Sequence, residues 1–219
     1  MKTHVLKALR HGWGLAASAA LLAWLSSRTA SAQAAASPDR SSRTDSRTAR
    51  VEGLAAWDQI YSVLTHPRCI NCHTATNYPQ QGDDRHRHFA NVVRGPEGKG
   101  VPALQCVSCH QEANADTTGV PGAHGWHLAP LSMRWQDRND RILSSAQVCR
   151  AITDRSKNGN LGGAGLLKHH TEEPLVLWAF QPGRRIDGSS RTLPPLIHDQ
   201  FVEVTRRWVE VGMPCPQGR

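Results

Sequence analysis

The chain has 219 residues, enough for one or two domains, and is polar for a globular protein: 39% apolar, 5% aromatic, mean hydropathy −0.48. A single apolar run, Trp13 to Leu25, approaches membrane length, which excludes a multi-pass membrane protein. The formal charge of +8 falls to +4 once residues 1–32, with Lys2, Lys7, Arg10 and Arg28 and no acid, are set aside. So weak a balance does not point to nucleic acid as a partner.

Lys2, Lys7 and Arg10 precede the apolar run, and Ala30-Ser31-Ala32 follows it. A basic head, a short apolar core and a small-x-small site predict a secretory signal peptide over 1–32. The run is short for a transmembrane helix, so no stable membrane span is expected after cleavage, and the mature chain is expected to be periplasmic or secreted. Residues 33–50 hold no large apolar side chain and predict a disordered linker. The ordered domain is expected over 51–219.

Val51, Leu54, Trp57, Tyr61 and Leu64 recur at helical spacing, and Pro67 ends the pattern. Residues 66–142 are rich in Gly, Pro, His, Asn and Asp, with turn material at 94–102 and no sustained period. So long a loop-rich stretch needs an organiser other than a side-chain core. Helices return with a capping-box pattern at Ser144 and Gln147. Others are predicted around Leu166–His170, from Pro174, and over Ile197, Phe201, Val204, Trp208 and Val211, with Gly212 as the stop. No strands are predicted. The fold class is mainly α and loop-rich.

The cysteines supply the organiser. Cys69-Ile70-Asn71-Cys72-His73 and Cys106-Val107-Ser108-Cys109-His110 are two copies of C-x-x-C-H, the attachment motif of c-type haem. Two thiols three positions apart lie on one side of a helical turn and can add to the two vinyl groups of one haem. The next residue then offers its imidazole to the iron. The motifs predict two covalently attached haem c groups, neighbours in space, with the chain wrapped around them. His73 and His110 are the proximal iron ligands. The rival reading is a structural zinc site of Cys69, Cys72, Cys106 and Cys109, which does not explain the two histidines. Cys149 and Cys215 are left over in an oxidising compartment and are expected to form a disulfide rather than two buried thiols.

Each iron has one more axial position. Eight histidines remain beyond the signal region, against Met133 and Met213, so histidine ligation is expected. His88, His169, His127 and His86 are the distal candidates, with His170 a close rival of His169. His66, too near Cys69 for the first haem, could serve only the second. Closed irons favour an electron carrier over an enzyme. The enzyme alternative is a peroxidase-like or small-molecule reductase with one open iron and an acid or base from Glu112, Asp116 or a spare histidine.

The segments HPRCINCH (66–73), QGDDRHRH (81–88), VRGPEGKG (93–100), LQCVSCHQEAN (104–113), WHLAP (126–130), PLVLWAF (174–180) and W-x-x-x-G-x-P-C-P (208–216) together resemble exported dihaem c-type cytochrome-like proteins. Such proteins are labelled isoquinoline 1-oxidoreductase subunits. The resemblance spans about 55–216 and implies a redox partner of a molybdenum hydroxylase that oxidises N-heterocycles or aldehydes. It matches Cys69, Cys72, His73, Cys106, Cys109 and His110 residue by residue, and draws attention to His86, His88 and His169. The chain has no motif for a molybdenum cofactor or an iron–sulfur cluster, so it is not itself the hydroxylase.

Overall fold

The computed structural model describes residues 40–218, and the predicted signal peptide and residues 33–39 lie outside the described residues. The first element is helix α1 (Arg40–Leu64), which corrects the predicted linker: its last eleven residues, 40–50, are helical. Nothing after Pro38 breaks a helix, and a helix nucleated by its packed half propagates at little cost. Residues 43–48 stay exposed, as their composition requires.

The buried face of α1 is rotated from the predicted one. Gly53, Ala56, Trp57, Ile60, Val63 and Leu64 are buried, whereas Val51 is exposed. The shift brings Gly53 against the C-terminal segment, where a Cβ would overlap the side chains of Pro214 and Val211. The one-turn helix α2 (Pro67–Ile70) follows, opened by Pro67 and capped by His66, whose Nδ1 accepts from the Arg68 amide. His66 is thereby committed to a cap.

Two short antiparallel pairs depart from the strandless expectation: β1 (Gln80–Gln81) with β2 (His86–Arg87), and β3 (Gly100–Val101) with β4 (Leu104–Gln105). Pairs this short lie below what residue patterning signals. Buried polar clips tie the loops together. Arg94 donates to the carbonyls of Thr74, Thr76 and Ala129, and Gln136 donates to Thr74 Oγ1 and Asp140. A network satisfied in this way gives loop backbone the partners that burial demands.

Four helices close the chain: α3 (Ser145–Thr153), α4 (Gly163–Glu172), α5 (Pro174–Phe180) and α6 (His198–Glu210). The Ser144–Gln147 capping box forms as predicted. Helix α6 runs along α1 and α4, burying Phe201, Val204, Thr205 and Trp208. Trp57 and Trp208 meet at 5.0 Å, with their indole nitrogens bonded to Ser145 and the Pro214 carbonyl. Gly212, at φ +83°, stops α6. A disulfide joins Cys149 on α3 to Cys215. No described helix is long and apolar enough to cross a membrane.

Candidate functional site

Each C-x-x-C-H motif is a single helical turn. The His73 amide bonds the Cys69 carbonyl, and the His110 amide bonds the Cys106 carbonyl in the same way. The turn leaves both cysteines and the histidine of each motif lining one cavity. The four thiols are not in disulfides. Burial raises the thiol pKa of Cys69 to about 12 and of Cys72 to about 11, so both are neutral.

The two motif histidines are held alike. His73 Nδ1 donates to the Met133 carbonyl while its ring stacks on Trp135 at 4.3 Å. His110 Nδ1 donates to the Pro121 carbonyl while its ring stacks on Trp126, also at 4.3 Å. A carbonyl acceptor requires the proton on Nδ1, so the lone pair is on Nε2. This is the arrangement that ligating histidines adopt. Burial keeps both rings neutral and lowers His73 to about 4.

Two adjoining cavities open from these turns. The first, of about 290 Å³, is lined by Cys69, Cys72 and His73 and also by His127, His169 and His170. The second, of about 590 Å³, is lined by Cys106, Cys109, His110 and by His86, His88 and His127. Arg68, Cys72, Trp126, His127 and Trp178 belong to both, so the cavities share a wall. Such volumes suit an organic cofactor.

All four distal candidates thus line a cavity. His86 and His88 alternate along β2 and its exit, which turns both toward the second cavity. The His88 ring centre lies 5.9 Å from that of His110. The two ring planes are 72° apart, and both rings line the second cavity, so His88 would be placed to share a group held by His110. His88 Nδ1 donates to the Phe89 carbonyl, which frees Nε2. His86 Nδ1 pairs with Asp84, and its buried Nε2 has no partner. His127 Nδ1 donates to the Gly125 carbonyl.

On α4 the order is reversed from the predicted one. His170 is the buried residue and His169 the half-buried one, because α4 turns His170 toward α6. His170 Nδ1 donates to Thr205 Oγ1, whose own proton goes to the Phe201 carbonyl. Burial and then the neighbouring His169 lower His170 to about 3.

The acids proposed for an enzyme stand elsewhere. Glu112 pairs with His124 on the surface, and Asp116 accepts from the Arg184 amide. Among the described residues no carboxylate lines the second cavity, and only Glu173 lines the first. No described cluster of three or more His, Cys, Asp or Glu could hold a bare metal ion. The four cysteines are not gathered into one such cluster among the described residues.

Sequence reasoning missed Trp135 and the part Trp126 plays at His110. Both are tryptophans in loop sequence outside any helical stripe, so no periodicity marks them, although Trp135 is buried in the main core. No protein-family model, characterised protein or solved structure matches the chain.

Proposed function

We propose that the protein is a periplasmic dihaem c-type cytochrome that relays electrons between protein partners. The observation that carries this reading is the twinned site. Two C-x-x-C-H turns each hold a histidine between a carbonyl and a tryptophan face, and each opens into one of two adjoining cavities. Haem, when bound, supplies a one-electron iron couple whose potential responds to axial ligation and surroundings.

The chain's part follows from its residues. Cys69 and Cys72, and Cys106 and Cys109, supply the thiols for attachment. His73 and His110 present bare Nε2 atoms whose orientation is fixed by Met133, Pro121 and the two indoles. His88 completes the His110 side, on the 5.9 Å separation of the rings. His169, half-buried on α4 and lining the first cavity with His73, is the candidate on the His73 side. Trp126, Trp178 and Phe180 keep water from the cavity walls. The shared wall keeps the two sites close enough for transfer between them. The donor is a molybdenum hydroxylase-type partner, on the resemblance of the motifs, and a further protein is the acceptor.

Expression in a host with the cytochrome c maturation machinery tests the reading. The intact mass should equal the processed chain plus two haem groups, the colour should survive acid acetone, and the ferric spectrum should be low-spin. A colourless chain at its bare mass from such a host refutes it.

A further inference from the structure

The second cavity is lined by three arginines, Arg68, Arg185 and Arg191, and among the described residues by no acid. Arg68 is the deepest, its side chain only 5% exposed. It pairs with Asp83, but the same carboxylate also takes Arg185 and the Thr192 hydroxyl. The Arg191 guanidinium donates to the carbonyls of Gly119, Pro182 and Arg184 and pairs directly with no carboxylate among the described residues. The Arg68 Nε is buried and has no partner.

Three guanidinium groups thus stand against two carboxylates: Asp83, which pairs with Arg68 and Arg185, and Asp116, which acts on Arg191 without a direct contact. A buried cation is tolerated when opposite charge and hydrogen bonds replace its water. Here the charges do not balance, and the excess lies on the cavity side. An arginine fork suits carboxylates in particular, because its parallel N–H groups match their two oxygens. The three arginines come from α2, from the 182–192 loop and from its end, so the chain brings them together only in the folded state.

We propose that Arg68, Arg185 and Arg191 form a carboxylate-binding wall that holds the propionates of the haem attached at Cys106 and Cys109. The proposal rests on the dihaem reading. Asp83 bridges Arg68 and Arg185 and sets their spacing. Fixed positive charge beside that haem favours its reduced state, which carries one positive charge fewer. The first cavity has Arg68 alone of the three, and Glu173 instead of the others. The haem in the second cavity is accordingly the easier of the two to reduce.

The test uses the mature holoprotein and the variants R185Q, R185K and R191Q, at positions outside the buried core. Intact mass first establishes that two haems are attached. Wild-type protein without them refutes the dihaem reading itself. In loaded R185Q, one midpoint potential falls, the other holds, and the propionate bending band in the resonance Raman spectrum shifts. R185K keeps the charge but loses the fork, so the band shifts while the potential stays near wild type. Unmoved bands and potentials in both R185Q and R191Q overturn the proposal. A lowered potential with an unmoved propionate band also overturns it, because the arginines would then act only as distant charges.

Discussion

Histidine tautomers set the chemistry available at the two cavities. In His73, His88, His110 and His127 a backbone carbonyl holds the Nδ1 proton, and in His170 a threonine hydroxyl does so. The Nε2 atoms are left as lone-pair donors. His86 and His88 look equivalent in sequence, and the structure separates them by their partners. His88 stands 5.9 Å from His110, whereas His86 is tethered to the exposed Asp84 carboxylate. We expect H88A to convert one haem to a high-spin ferric signal and added imidazole to restore the low-spin spectrum. H86A should leave both haems low-spin. The reverse pattern in paired electron paramagnetic resonance spectra would assign the ligand to His86. The sequence made the motif residues legible because covalent attachment demands fixed spacing. Ligands from distant segments carry no such spacing, so four candidates stayed level until the fold brought them to the cavities.

Among the elements, the short ones carry the site and the long ones hold it in place. Helices α1, α3 and α6 pack around Trp57 and Trp208, and the Cys149–Cys215 bridge ties the end of the chain to α3 across a separation of 66 residues. Closing a loop of that size is worth about 4 kcal/mol through the unfolded state. C149A/C215A should therefore unfold at lower denaturant than wild type, by about that amount in extrapolated stability, with its haem spectrum intact when folded. Alkylation without reductant should label neither cysteine in the wild-type protein. Helix periods and the capping box were readable because burial and capping leave local patterns, as Ser144–Gln147 shows. The start of α1 was not, since residues 40–50 are helical by propagation and 43–48 stay exposed. Nor was the loop scaffold, because Arg94 and Gln136 join segments up to 62 residues apart.

At the scale of the whole molecule, the choice is between moving electrons and transforming a small molecule. Chemistry at an iron needs an open position and a proton donor or acceptor beside it. The cavities offer imidazoles in numbers sufficient to close the two irons of the proposed dihaem site, while Glu112 and Asp116 are engaged at the surface and Glu173 is the one described carboxylate that lines a cavity, the first. Two cavities with a common wall of Arg68, Cys72, Trp126, His127 and Trp178 suit transfer from one site to the other. A mature formal charge of only +4, spread among acids and bases, suits an encounter that forms and dissociates quickly. In stopped-flow mixing, both haems should be reduced by a molybdenum hydroxylase supplied with its N-heterocyclic or aldehyde substrate, and not by the substrate alone. The second-order rate should fall as ionic strength rises, because exposed charges are screened within about 10 Å at 0.1 M salt. Cyanide should bind slowly, as an exogenous ligand must first displace a histidine. Fast stoichiometric cyanide binding, or steady turnover of peroxide or nitrite by the purified protein alone, would show an open iron and make the protein an enzyme.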